Sequence, residues 1–215
     1  MTKEKFIPAF DFHFLTKVFD SFIGFTVPEK RIKESLIDLM NIRDKDKIID
    51  FGCGTGTLLI MGKHKHPEAH FEGIDIDPKI LALAKGKIEK QKLDISLTEY
   101  DGGRLPLDSD SVDKAMSSLM MHHLTTDKKI MAMKEIYRIL VSGGTLHIAD
   151  FGKQKNLIFI LIGNVAGKFE QEVEANFKGL LPELMTQAGF VNVLTIKTYN
   201  TKLGTICIYS GEKAG

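Results

Sequence analysis

The apolar positions change rhythm twice along the chain. Over the first 25 residues Phe10, Phe14, Val18 and Phe22 recur every four residues, as do Leu15, Phe19 and Ile23. That spacing gathers both sets on one broad face of a helix. Pro28 and Glu29 then read as the start of a second helix, running to about Met40, because proline suits a first helical turn. From Lys47 short apolar runs alternate with helical stretches. Strands are expected at Lys47–Phe51, Ala69–Asp75, Ile95–Tyr100, Val112–Ser118 and Gly144–Asp150. Helices are expected at about Gly56–Lys65, Pro78–Lys90 and Thr126–Leu140. Such alternation argues for a parallel sheet with helices on both faces.

The last third breaks this pattern. Gln154–Glu174 reads as irregular or helical, and Gly179–Ala188 as a helix stopped by Gly189, a common terminator. Val191–Tyr199 and Thr205–Ser210 read as strands with only a short turn between them. A link that short demands an antiparallel hairpin.

Composition bounds the function without naming it. The 215 residues fit one domain, or one with a small appendage. The 29 basic and 28 acidic residues nearly cancel, so there is no nucleic-acid signal. Cys53 and Cys207 are the only cysteines; they make no disulfide framework, and a reducing, cytoplasmic setting is expected. The N-terminus has no signal-peptide core. The longest apolar run, Leu157–Gly163, falls far short of the ~20 residues that span a bilayer.

The chemistry concentrates at Asp50-Phe51-Gly52-Cys53-Gly54-Thr55-Gly56. Its glycines permit a tight strand-to-helix turn and close approach of a ligand to backbone. A dinucleotide fingerprint would place its third glycine at position 57, but that residue is Thr57. Asp50 would also repel a pyrophosphate, since phosphate sites favour N–H groups and cations. S-adenosylmethionine carries an ammonium and a sulfonium and no phosphate, so a carboxylate here attracts it. Asp75 ends the second strand, where an acidic side chain can accept both hydroxyls of a ribose. Asp101, after the third strand, can accept from an adenine amine. Each has a bland alternative as a turn or a helix cap; the three in order at strand ends make the functional pattern.

Taken together, the segments IIDFGCGTG (48–56), FEGIDIDPKIL (71–81), YDGGRLPLDSDSVDKAMSSLMMHHL (100–124) and YRILVSGGTLHIADFG (137–152) resemble the class I S-adenosylmethionine-dependent methyltransferases. Within them the chain is similar to enzymes near the ubiquinone/menaquinone C-methyltransferases. The resemblance implies a three-layer α/β Rossmann-like fold with a seven-stranded, mostly parallel sheet and a C-terminal antiparallel hairpin. It implies that Asp50, Gly52, Cys53, Gly54 and Gly56 line the methionine part, although the residues alone make Cys53 only a small turn residue. It further implies that Asp75 holds the ribose, that Ile76 packs on adenine and that Asp101 and Gly102 meet its edge. Ser117 and Ser118 would lie near the amino-acid group. Val141-Ser142-Gly143-Gly144 departs from the family's usual Lys/Arg-Pro-Gly-Gly, which should affect a turn more than the chemistry.

The sulfonium is already a strong methyl donor, so a base is needed only where the acceptor must lose a proton. His122 and His123 follow the fourth strand, and either is a candidate base or a structural hydrogen-bonder. No carboxylates cluster with them in the sequence, so no metal is expected. His64 and His66 are expected to face solvent. Met116, Met120, Met121, Met131 and Met133 would line a lipophilic pocket or simply fill the core. Residues 1–42 are expected to form an N-terminal helical lid on the substrate side, and 43–215 the cofactor-binding domain. An apolar lid suits a hydrophobic small-molecule acceptor, while the same helix could instead pack on the sheet. Its face, with the 157–163 run, also offers a peripheral membrane contact or a homodimer contact. The competing functions are a nucleotide-dependent oxidoreductase and a noncatalytic cofactor-binding module.

Overall fold

The computed structural model describes residues 28–154, 170–201 and 204–215. The expected N-terminal helix and the Leu157–Gly163 run lie outside them. Among the described residues the strands are β1 (Lys47–Phe51), β2 (His70–Asp75), β3 (Ile95–Glu99), β4 (Val112–Ser118), β5 (Leu140–Phe151), β6 (Val191–Thr201) and β7 (Gly204–Glu212). They form one sheet in the order β3-β2-β1-β4-β5-β7-β6. β1 to β5 pair in parallel, and β7 lies antiparallel between β5 and β6. The chain starts at β1, steps outward to β3, then crosses back to β4. That reversal is a topological switch point, and ligands of open α/β sheets bind at the strand C-termini there.

Two apolar layers cover the sheet. Helices α1 (Glu29–Leu39), α2 (Thr57–Lys65) and α3 (Pro78–Lys90) contribute Ile32, Leu36, Leu58, Leu59 and Leu81 to one core. Helices α4 (Thr126–Ile139), α5 (Glu170–Phe177) and α6 (Leu181–Gln187) contribute Ala132, Ile136, Ala175, Leu181 and Leu184 to the other. The three-layer fold with its terminal hairpin is the one the sequence implies. α1 belongs to this packing, with Ile32, Leu36 and Ile37 buried. Of the expected 1–42 segment the described residues begin at Pro28, and α1 packs in the helical layer.

Local chemistry explains the helix boundaries. Asp77 caps α3, its Oδ1 accepting from Lys79 N–H at 2.8 Å, with Pro78 in the first turn. Thr125 caps α4 through Lys128 N–H. No helix separates β3 from β4. Instead Arg138 donates to the carbonyls of Leu105 and Leu107, both at 3.0 Å, while Glu135 accepts from Leu105 N–H at 2.9 Å. This clamp holds the 100–111 loop over the sheet edge. Among the described residues no helix is long and apolar enough to cross a membrane.

Candidate active site

The β1–α2 loop is built around its own backbone. Gly52 and Cys53 N–H both donate to Ile74 carbonyl, at 2.8 and 3.0 Å. Gly54 N–H donates to Asp75 Oδ2 at 2.8 Å, and Gly56 N–H to Cys53 carbonyl at 3.0 Å. Four amides that could have cradled a diphosphate are thus spent inside the protein, a firmer exclusion of dinucleotides than glycine spacing alone. Gly56 is the α2 N-cap with φ 74°, and an added Cβ would meet Ala84 Cβ at 3.2 Å. At Gly52 (φ 73°) a Cβ would strike Met120 Cγ at 2.3 Å. Side chains are excluded at both points, which keeps the loop tight between strand and helix.

Asp50 lies in β1, 1% exposed, and its Oδ1 has no hydrogen-bond partner in the protein. Burial pushes its pKa up to about 7, opposed by Lys33 and reinforced by Asp75. The sequence suggested a standing negative charge at the loop entrance. The fold qualifies this: the carboxyl is buried, it is part protonated at neutral pH, and a cation held beside it would favour the ionised form. Cys53 is buried, and desolvation pushes its thiol well above the usual range, so it offers a small side chain and no nucleophile.

Asp75 closes β2. Its Oδ2 takes Gly54 N–H and its Oδ1 takes Asp77 N–H at 3.0 Å. Each oxygen keeps a further lone pair, which is what a ribose diol needs. Ile76 follows with 37% of its surface exposed. An added Cβ at Gly102 would sit 3.8 Å from Ile76 Cδ1, so the two form one apolar ledge suited to a base. Asp101 is exposed and lies beyond the observed end of β3 at Glu99. Its Oδ1 accepts from Gly103 N–H at 2.8 Å, and it sits on a loop where a strand end was expected. Ser117 is fully buried and its hydroxyl donates to Phe51 carbonyl at 2.9 Å; it ties β4 to the loop strand. Ser118 Oγ is buried without a partner.

Beyond β4 the backbone turns sharply. Leu119 adopts φ 52°, unusual for a branched residue and typical of strained functional turns. A 3-10 turn, Met121–His123, follows and brings His122 back over the end of β5. There His122 Nδ1 sits 2.9 Å from Asp150 Oδ1, and His122 N–H donates to Asp150 Oδ2 at 3.2 Å. Phe151 N–H adds a third bond at 2.7 Å. Asp150 is fully buried. Burial alone would raise its pKa, but the His122 charge, the His122 hydrogen bond and the backbone donors outweigh it and hold the carboxyl below the usual range. In the tautomer with its proton on Nδ1, that nitrogen donates to the carboxylate and Nε2 keeps its lone pair.

His123 has no such partner. Its ring lies 4.0 Å from that of His122. Desolvation, then His122, push its pKa down to about 4, against a pull from Asp150. His123 is exposed, and with its pKa lowered the ring is neutral at pH 7. Of the two sequence candidates, only His122 is therefore oriented by a carboxylate.

Asp150 is the site residue the sequence reading missed. It looks like the end of an apolar strand, His147-Ile148-Ala149-Asp150-Phe151, and only the β4–β5 register (Ser118↔Ala149) brings it beneath the turn. Its position at a strand C-terminus was the available signal. The methionines divide as well: Met116, Met121 and Met133 are core, Met131 is 60% exposed, and Met120 covers Gly52. His64 is exposed as expected, whereas His66 is half-buried.

The fold and the strand-end loop are those expected of a class I S-adenosylmethionine-dependent methyltransferase, and the comparisons with known proteins point the same way. Residues 48–144 match the methyltransferase-domain family. The chain is similar to a demethylmenaquinone methyltransferase of Thermus thermophilus, 31% identical over 56% of this chain and 54% of that protein. It thus spans about half of that relative's length. It is also similar to a demethylmenaquinone methyltransferase of Lactobacillus johnsonii, 29% identical over 81% of this chain and 78% of that one. Among solved structures, a Haemonchus contortus phosphoethanolamine N-methyltransferase bound to phosphomonomethylethanolamine and S-adenosylhomocysteine superposes with a TM-score of 0.71. It is 13% identical and covers 85% of this chain and 52% of that one, a likeness of fold.

Proposed function

We propose that the chain transfers a methyl group from S-adenosylmethionine to a small, apolar acceptor resembling a quinone precursor or a lipid. The observation that carries the reading is the His122–Asp150 pair standing beside the glycine loop, with Met120, two residues earlier, lying on Gly52. The bound cofactor supplies an electrophilic methyl on a sulfonium. Asp50 pairs with its ammonium, Asp75 holds the ribose hydroxyls, and Ile76 with Gly102 supports the base. Asp101 and Ser118 are the further polar contacts of this reading. Asp150 orients His122, whose Nε2 takes a proton from an acceptor that must lose one. His123, neutral and unpaired, lines the same turn. The quinone-like choice rests on the names of the two demethylmenaquinone methyltransferases.

The test is transfer of radiolabelled methyl from S-adenosylmethionine by the purified protein. A reduced prenyl-1,4-naphthoquinol is expected to take label into the organic phase, and a fatty acid or a catechol to take less. Label entering none of the three, with cofactor bound, would replace this reading by the noncatalytic module.

A further inference from the structure

The buried polar atoms without a partner are not scattered evenly. Asp50 Oδ1 and Ser118 Oγ lie at the C-terminal edge of β1 and β4, where the cofactor contacts are assigned. His66 Nε2, Thr145 Oγ1 and His147 Nδ1 are further single unpartnered atoms, whereas Asn176 leaves both polar atoms of its side chain unused. Asn176, in α5, has no exposed surface, and neither its Oδ1 nor its Nδ2 has a hydrogen-bond partner among the described residues. Its backbone is ordinary, the carbonyl accepting from Gly179 N–H at 2.9 Å. A buried amide with all its bonding capacity unused is rare and destabilising, because desolvation is uncompensated.

Its placement ties it to the dyad. α5 packs on the Met121–His123 turn, on β5 and on α4. Phe177 meets the Phe151 ring edge-on at 5.8 Å, and Phe151 meets His122 in the same way at 5.0 Å. Ala175, on the other side of Asn176, belongs to the core that includes Met121. Successive helical residues are rotated by ~100°, so Asn176 lies on the face between Ala175 and Phe177, on a helix that packs against the histidine turn. The amide offers donors and an acceptor and carries no charge. It therefore matches a neutral oxygen function; a carboxylate or phosphate would need a cation, and burying an unpaired charge is costly.

We infer that Asn176 is an acceptor-recognition residue, whose buried amide hydrogen-bonds a neutral ring hydroxyl or carbonyl on the methyl acceptor held at His122. This rests on the proposed methyl transfer and narrows its substrate class to oxygen-bearing apolar rings. The experiment is anaerobic calorimetry on protein saturated with S-adenosylhomocysteine, comparing 1,4-dihydroxynaphthalene with naphthalene. The wild-type chain is expected to prefer the diol at least ~10-fold, the value of one well-placed buried hydrogen bond. In Asn176→Leu, and in Asn176→Ala as a second variant, the two compounds are expected to bind within ~3-fold of each other. Cofactor affinity stays unchanged, and the Leu variant melts no lower than wild type. A diol preference that survives both variants, or is absent from the wild type, overturns the assignment; in that case a buried water or the fold alone accounts for the amide. Failure of the wild-type chain to bind S-adenosylhomocysteine would instead strike at the cofactor site itself.

Discussion

Replacing Asp50 by asparagine should stabilise the fold while weakening cofactor binding. The carboxyl is 1% exposed, and burial moves its pKa from 3.8 to about 7. A difference that large corresponds to ~4 kcal/mol between the protonation states, an upper limit because the site can relax. The folded-state value is raised, so folding favours the protonated acid. Its stabilising contribution is complete below about pH 4 and is lost as pH climbs through 7. Asparagine carries no such titration. The gain in Asp50→Asn is therefore expected to be near zero at pH 4 and to level off above about pH 7.5. At ~2–4 °C per kcal/mol for a chain of this size, the plateau should be a rise of roughly 5–15 °C in melting temperature. Scanning calorimetry between pH 4 and 8 measures it. Calorimetric titration with S-adenosylhomocysteine should show affinity falling at least ~10-fold, the value of a charge-assisted hydrogen bond. A melting difference that does not change with pH, or unchanged affinity, would refute the placement of the ammonium on Asp50.

Further outcomes follow from the same geometry. In the wild-type chain, S-adenosylhomocysteine affinity should fall ~10-fold from pH 7.5 to 6, since a protonated Asp50 must release its proton to bind an ammonium; titration in buffers of different ionisation enthalpy would detect that release. Asp75→Ala removes both the ribose acceptor and the anchor of Gly54 N–H, so cofactor affinity should drop by ~10–100-fold, and an unchanged value by calorimetry would contradict the assignment. Asp150→Asn keeps the shape but lets His122 choose the wrong tautomer; turnover should fall ~100-fold or more with little change in cofactor affinity, read from initial rates across pH 6–9. Gly56→Ala forces a side chain into φ 74° against Ala84, and should cost ~1–2 kcal/mol by urea unfolding.

Much of the fold was legible in the apolar rhythm. β1, α3 and β4 fall at the expected bounds because each has an unambiguous period and, for α3, a cap. β5 begins at Leu140, four residues ahead of expectation. Val141–Gly144 reads as a turn in sequence but forms an irregularity in the strand: pairing shifts from Val112↔Leu140 to Lys114↔Thr145, and Gly143 takes φ 74°. The cofactor loop was legible because glycines and acids at strand ends are a local signal. The preference for His122 over His123 was not, since it depends on Asp150, 28 residues away and brought close by strand pairing. Asn176 was illegible for the same reason. Its stretch has no clean period, and its isolation is a property of the packed interior.

The central claim is that the β1–α2 loop receives S-adenosylmethionine and not a dinucleotide, because its amides are internally bonded and its buried acid awaits a cation. Parallel calorimetric titrations of the purified chain with S-adenosylhomocysteine and with NAD test this directly. Saturable binding of the thioether with no heat from NAD is expected. Saturable NAD binding that S-adenosylhomocysteine fails to displace would contradict it.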